Sequence, residues 1–217
     1  MGSVRLHALS IDEVRAISRA GDALATRLRT VAAERFPAAA TPAAPGLLGK
    51  LGPVFRRAPD APVVRPGVPG GSDVELLLTG RYVPPHRLTA CWALLDAWLE
   101  DLAWGSTGRE VTEAQLNEFD FDLACAEVPP RFSLRNLVGT DLGIALLPCP
   151  GVVAGWTPGP QVPAMADAWR RALPRLAEAH REPAAGLLEW LDRFPAWTDE
   201  AAAQGRPAPD LIAIHQA

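Results

Sequence analysis

The sequence has almost no lysine and no long apolar run. Lys50 is the only lysine among 21 basic residues, and 25 acidic residues give a formal net charge of −4. A mildly acidic chain argues against general binding to nucleic acid or to an anionic membrane surface, because both require a basic surface. No segment approaches the roughly 20 apolar residues that a membrane-spanning helix needs. We therefore expect neither nucleic acid nor membrane among the partners of this protein.

Cysteine is also scarce. Cys91, Cys125 and Cys149 are odd in number and widely spaced, which argues against a disulfide framework. The first residues lack the apolar stretch and small-residue cleavage site of a secretory signal. These observations predict free thiols and a cytoplasmic location.

Recognisable motifs for cofactors, metals and catalysis are missing as well. No Gly-x-Gly-x-x-Gly follows a strand pattern, and no Gly-x-Ser-x-Gly is present, so the run Gly105–Gly108 is interpreted as a turn. A zinc site would have to be assembled from distant histidines, since no two of them stand four residues apart. We expect no cofactor and no metal.

The sequence does contain enough apolar material for a core, with 48% hydrophobic residues. Short apolar runs at Val4–Leu9 and Leu211–Ile214 predict a strand near each end of the chain. The intervening patterns are mostly helical, and Leu142–Leu147 fits either a strand or a buried helical turn. This combination predicts one α+β domain over residues 1–217, mainly helical, with a small sheet that includes both terminal strands. We further predict that Arg5–Leu9 and Leu211–His215 are neighbouring strands, because an isolated strand would leave its backbone groups unpaired.

Helix starts and stops can be placed from caps, glycines and prolines. Ser10 with Glu13 predicts a capping box, and Thr112 predicts another cap. The predicted helices are about 11–17, 22–36, 73–79, 86–104, 111–127, 161–176 and 183–203, the last perturbed at Pro195.

The segment 37–71 differs in composition and is rich in proline, alanine and glycine. It predicts a long loop or insertion, because proline lacks a backbone donor and glycine loses much entropy on ordering. Its apolar residues would be exposed in a fully disordered segment, so a docked helical turn is the preferred alternative. These residues are Leu47, Leu48, Leu51, Val54 and Phe55.

Three stretches of the sequence carry a family resemblance. The first is Leu9–Ala16 followed by Gly21-Asp22. The second is the C-terminal series of Trp197, Gly205-Arg206, Asp210-Leu211 and His215. The third is the proline-rich loop Leu147–Gly151 with Gly155-Trp156. Together they resemble a family of actinobacterial proteins of unknown function. The resemblance covers about half of the chain and implies a strand at each end, but it implies no reaction.

Cys149 is the best candidate nucleophile, because Pro148 and Pro150 hold it on a stiff loop. Activation of its thiol would require a base, for which His180 or His215 is the candidate. The alternative is a buried thiol that behaves as a small hydrophobe. On the predicted helix 111–127, Glu118 and Asp122 share one face and form either an acid–base or cation-binding pair or a solvated surface.

Loop aromatics supply the candidate binding residues. Trp104 and Trp156 fall outside the helical stripes that account for the other five tryptophans of the seven. Each either lines a pocket or covers the core from outside. Arg170, which follows Trp169, is a candidate anion-binding residue or an ordinary surface arginine.

Two functions remain open from the sequence. The first is a non-catalytic protein-binding module, of the immunity or accessory type, whose partner is encoded nearby. The second is a small-molecule enzyme or ligand binder with a pocket under loop 148–163, where Cys149 and a histidine act beside Trp156. Whether the chain is an enzyme is left open.

Overall fold

The structure is a computed structural model that describes residues 2–37 and 67–217. The described residues form a mainly helical α+β fold, as predicted. None of their helices is long and apolar enough to cross a membrane. Most of the predicted insertion 37–71, including its proposed docked turn, lies outside the described residues. The strands are β1 (Gly2–Leu9), β2 (Ser106–Val111), β3 (Val152–Thr157) and β4 (Asp210–Gln216).

The described helices lie in groups between successive strands of the chain. They are α1 (Ile11–Ala16), α2 (Asp22–Arg35), α3 (Gly71–Leu78), α4 (Leu88–Leu102), α5 (Glu113–Cys125), α6 (Leu134–Leu137), α7 (Val162–Ala172), α8 (Glu178–Leu191) and α9 (Phe194–Ala203).

The four strands form one antiparallel sheet in the order β2-β1-β4-β3. The two terminal strands are therefore adjacent and central, which confirms the predicted pairing. Leu6 lies opposite Ala213 on β4, and Trp156 of β3 lies opposite Ile212. The continuous apolar run of β4 follows from this position, because residues 211–214 are covered from both faces.

Helices cover both faces of the sheet, and each face has its own core. Alternate residues of a strand point to opposite faces, so β1 and β4 contribute to both cores. On the first face, Leu9, Ile212 and Ile214 pack with α1 to α4. On the second face, Leu6 and Ala213 pack with α5, α7, α8 and α9.

Both outer strands differ from the prediction. The predicted turn Gly105–Gly108 instead opens β2, and the loop assigned to 148–163 contains β3. Glycine weakens a strand pattern, but Gly155 has a packing reason, since a Cβ there would stand 2.4 Å from the Leu137 carbonyl oxygen. The run Leu142–Leu147 forms neither a regular strand nor a helix.

Helix ends mostly follow their predicted signals. Ser10 Oγ accepts from the Asp12 N–H, and Thr112 forms a full capping box with Gln115. Glu13 does not complete the box at Ser10, because its carboxylate binds Arg206 at 2.9 Å. The predicted helix 183–203 is two helices, α8 and α9, which separate between residues 191 and 194, ahead of the predicted perturbation.

Candidate functional site

A cleft of about 690 Å³ lies on the second face of the sheet, between β1 and β2 on one side and α5 and α8 on the other. Its volume falls within the range of small-molecule sites, about 300–1,000 Å³. The apolar residues that line it are Val4, Leu6, Val111, Leu116, Phe119, Leu134, Ala179, Pro183 and Leu187. Polar side chains that line it are Thr107, Arg109, Glu110, Gln115, Glu118 and His180.

Helix α5 is held in place by its capping box and by a buried stripe, which includes Leu116 and Phe119. Asp120, on the flank of this helix, accepts the N–H groups of Leu134 and Arg135 at 2.8 and 3.0 Å and so caps α6. Burial raises the pKa of Asp120, while these two donated hydrogen bonds oppose the rise. The cap fixes α6 where Leu134 closes one side of the cleft.

The main polar pair of this site is formed by His180 and Asp122. The His180 Nδ1 atom lies 2.8 Å from Asp122 Oδ2, across 58 residues of sequence. Both side chains are about one-fifth exposed. Asp122 Oδ2 also accepts the Ala177 N–H at 2.8 Å, so this carboxylate fixes the first turn of α8 and the histidine on it together.

The pairing determines which nitrogen of the imidazole is available. A carboxylate that accepts from Nδ1–H favours the tautomer in which Nε2 carries a lone pair. The described residues provide no hydrogen bond to Nε2. Phe119 packs edge-on against the ring, with centroids 5.4 Å apart, and holds it beside the cleft. His180 is therefore arranged as a proton acceptor or as an acceptor of a ligand hydrogen bond.

The α8 wall offers a second feature. Pro183 lies inside the helix and has no N–H, which removes the helical donor for the Ala179 carbonyl one turn earlier. Glu118 of α5 and Arg109 of β2 also line the cleft, and neither forms an ion pair within residues 2–37 and 67–217. The helical wall is thus rich in acceptors, whereas the strand wall carries both a cation, Arg109, and a carboxylate, Glu110.

Cys149 is not brought to a histidine. Its side chain belongs to the first-face core and has Thr89 as its hydrogen-bond partner, and burial raises the pKa of its thiol. His180 packs with Phe119 of the second-face core. The structure therefore does not assemble the proposed nucleophile and base among the described residues.

His215 lies on β4 and is 7% exposed. In the sheet it stands opposite Val4 on one side and Val153 on the other. Its Nε2 atom is buried and has no hydrogen-bond partner among the described residues.

The three candidate binding residues lie outside the cleft. Trp156 is half-buried against the first-face core and donates to the Asp141 carbonyl at 3.2 Å. Trp104 is covered by Arg206, whose Cζ lies 4.3 Å from the ring centroid. Both placements match the alternative in which the indole covers the core.

Arg170 is on the surface of α7. It contacts Asp167 at 2.6 Å and Asp192 at 2.5 Å, so its guanidinium is engaged by the chain's own carboxylates. That arrangement fits an ordinary surface arginine rather than an anion-binding residue.

His180 and Asp122 are both candidates from the sequence, but their pairing was not predicted. A signal for the pairing was available in outline, because both residues fall on helices with a polar face. It could not be used without knowing that α5 and α8 are neighbours. No cluster of three or more His, Cys, Asp or Glu suited to a metal ion is found in the described part of the chain.

Comparisons with protein-family models, with curated proteins and with solved structures find no match to this chain. The function therefore has to be argued from the geometry of the cleft.

Proposed function

We propose that this protein binds a small, mainly apolar molecule in the cleft between the sheet, α5 and α8. The observation that carries the proposal is the histidine in that cleft, whose Nδ1 is held by Asp122 at 2.8 Å while its Nε2 is left without a protein partner. Such a dyad is suited to remove a proton from a bound molecule or to accept its hydrogen bond.

The lining residues narrow the chemical class of this ligand. Most of the wall is apolar, so burial of a hydrocarbon or aromatic body supplies the affinity. His180 Nε2 and the Glu118 carboxylate are acceptors, and the Ala179 carbonyl lacks its helical donor. A molecule with a hydroxyl or amine group on an apolar body fits this pattern.

Gly186 allows a direct test of the cleft. It lines the cleft on α8, and a Cβ at this position would meet no heavy atom within 4 Å. Gly186→Trp should fill the cleft without disturbing the helix backbone, and Gly186→Ala is the matched control that leaves the cleft open. The probe is N-phenyl-1-naphthylamine, an apolar amine that fluoresces when it is buried.

We expect saturable binding of one probe molecule to the wild type and to Gly186→Ala, and at least about tenfold weaker binding to Gly186→Trp, a loss of about 1.4 kcal/mol. Equal binding by all three proteins, or no binding by the wild type, would refute the cleft as a ligand site.

The role of His180 has its own measurement. Long-range ¹H–¹⁵N spectra of imidazole groups distinguish a protonated from an unprotonated ring nitrogen. At a pH where the ring is neutral, the wild type should show Nδ1–H with a bare Nε2, and Asp122→Asn should lose this preference. A ring that carries its proton on Nε2 in the wild type would contradict the assignment.

A protein-binding role is the second candidate function, and the exposed edge strand β2 favours it. This strand has β1 on one side and no described strand on the other, so its outer backbone groups are unpaired by the sheet. Four of its six residues are exposed. A partner protein can bind such an edge by adding a strand to it. In this second candidate function, the protein is an immunity or accessory protein that binds a partner encoded nearby.

The edge can be tested by a proline substitution. Ala8 donates to the Gly105 carbonyl, and the alternation of an antiparallel ladder then directs the N–H of Glu110 away from β1. Glu110→Pro removes that outward donor without removing a bond to β1, and Glu110→Ala is the control. Binding to a purified product of a neighbouring gene should be lost in the proline variant only. If the proline variant binds as tightly as the wild type, strand addition at β2 is wrong.

A cytoplasmic location and membership of the actinobacterial family are parts of the same proposal. The location is supported by three cysteines that form no disulfide. The family is supported by the terminal motifs, which occupy the two central strands and the helices next to them.

A further inference from the structure

A second histidine-centred group lies on the opposite face of the sheet from the cleft. Ser106, the first residue of β2, stands opposite His7 of β1 in the sheet register. Ser106 Oγ lies 2.9 Å from His7 Nδ1, and His7 Nε2 lies 3.1 Å from Asp96 Oδ1 on α4. A hydroxyl, an imidazole and a carboxylate thus form one continuous hydrogen-bonded chain.

The direction of the hydrogen bonds follows from the chemistry of the three groups. The Asp96 carboxylate can only accept, so His7 donates its Nε2–H to it. The Nδ1 lone pair of His7 then accepts the Ser106 hydroxyl proton. Arg5 provides an ionic contact to the other carboxylate oxygen, with Nε 3.3 Å from Oδ2. The three groups have the same order of roles as in serine hydrolases, in which a carboxylate orients the base and the base takes the serine proton, but the two ring nitrogens are exchanged here.

Exposure to solvent differs among the three hydrogen-bonded residues. Asp96 is 7% exposed and His7 is 1% exposed, whereas Ser106 is exposed. Ser106 is therefore the residue of the three that solvent-borne molecules meet first. A base shielded from water interacts more strongly with its partners than an exposed one.

The backbone N–H of Ser106 supplies an oxyanion donor beside the hydroxyl. The bond from the Ala8 N–H to the Gly105 carbonyl, at 2.9 Å, makes the next pair, His7 and Ser106, a pair without ladder hydrogen bonds. The Ser106 N–H therefore points to the outer edge of β2, next to its own hydroxyl. Backbone N–H groups in this position stabilise the oxyanion of acyl-transfer reactions.

We propose that Ser106 is a nucleophile, with His7 as its general base and Asp96 as the positioning residue, and that it acts on carboxylic esters bound along the outer edge of β2. In the first step, the Oγ–H proton passes to His7 Nδ1 while Oγ forms a bond to the ester carbonyl carbon. The carbon–oxygen bond to the leaving group breaks, and the alcohol leaves with the proton from His7. Water then hydrolyses the acyl-serine to a carboxylic acid and restores the hydroxyl.

Two reagents test this proposal. A fluorophosphonate phosphonylates an activated serine, with formation of the Oγ–P bond and loss of fluoride. p-Nitrophenyl acetate reports ester cleavage by release of p-nitrophenol. We expect one phosphonyl adduct on the wild type, located at Ser106 by peptide mass spectrometry, and none on Ser106→Ala. Ser72→Ala is the matched control, because Ser72 is also exposed and its loss should leave labelling unchanged.

The role of Asp96 is tested by Asp96→Asn, which should slow labelling by about 100-fold, within the usual contribution of general-base catalysis. Asp96→Glu, which keeps a carboxylate on this side chain, should restore part of the labelling rate, a recovery that a loss of packing alone would not produce. The cleft variant Gly186→Trp should retain full labelling, which separates this proposal from the ligand-binding one.

The wild-type result is decisive even if the Asp96 variant fails to fold. If the hydrogen bonds are only structural, the folded wild type will show no adduct at Ser106, or labelling no faster than at Ser72. Either result would overturn the proposal.

Discussion

Asp210 is expected to be one of the most important polar residues for stability. It stands at the start of β4 and accepts two backbone N–H groups from separate parts of the chain. Its Oδ2 accepts from Ile11 at 2.9 Å, at the beginning of α1, and its Oδ1 accepts from Gly159 at 2.8 Å, in the turn before α7. One carboxylate therefore connects the central strand to helices on both faces of the sheet.

The cost of removing this carboxylate can be estimated. A hydrogen bond to a charged group contributes about 1.5–3 kcal/mol, and a buried donor left without a partner costs about 1–3 kcal/mol. Asp210 is only partly buried, so water can replace part of the loss. We expect Asp210→Ala to lower the free energy of unfolding by about 2–4 kcal/mol. For a domain of this size, 1 kcal/mol corresponds to about 2–4 °C in Tm.

Urea unfolding followed by circular dichroism measures this change. Asp199→Ala is the control, because Asp199 is an exposed residue of α9 and no ion pair or hydrogen bond of its side chain is found in the described part of the chain. Its effect should stay within about 0.5 kcal/mol. If Asp210→Ala is no more destabilising than Asp199→Ala at an unchanged m-value, the bridging role is refuted.

Three further predictions concern thiols and glycines. Brief iodoacetamide treatment at pH 8 should modify only Cys125, which is exposed. Burial raises the pKa of the Cys91 thiol to about 12 and also raises the pKa of the Cys149 thiol. Two or more adducts by intact mass would contradict this prediction. Gly186→Ala should raise stability by about 0.5–1 kcal/mol, since it removes backbone entropy in α8 and meets no neighbour; an unchanged or lower Tm would argue against it. Gly155→Ala should lower the free energy of unfolding by about 1–3 kcal/mol, because its Cβ would stand 2.4 Å from the Leu137 carbonyl oxygen. A neutral effect in urea unfolding would show that β3 and α6 are less closely packed than this distance indicates.

The terminal strands could be predicted because their own sequences indicate strands without reference to any other part of the chain. The run at residues 211–214 is apolar without interruption, and an isolated strand of this kind has to pair with another. β1 and β4 are thus specified by composition and by the need to satisfy their backbone groups. The helices were predictable for a similar reason, since the stripe of α4 repeats at helical spacing through Trp92, Leu95 and Trp98.

The outer strands β2 and β3 were not predictable in this way. β2 contains a glycine and two charged residues, and β3 contains Gly155. Such residues are common in turns, and both strands pair only because a central strand is available beside them. Gly155 illustrates the difficulty. In the sequence it indicates a loop, whereas in the structure it permits the close approach of α6 to the sheet. Its meaning depends on a contact that the sequence alone does not identify.

The candidate sites also depend on contacts that the sequence alone does not identify. His7 lies between the apolar residues Leu6 and Ala8 of β1 and is buried, and a buried polar group of this kind requires hydrogen-bond partners. The sequence therefore contains the requirement, although not the residues that satisfy it. Asp96 is 89 residues away, and Ser106 lies on a strand that sequence reasoning interpreted as a turn. Once β2 is recognised, the register places Ser106 opposite His7, and the exposed hydroxyl follows from its position at the sheet edge. A polar residue in an apolar strand thus indicates where a partner must exist, and strand register indicates which residue it is.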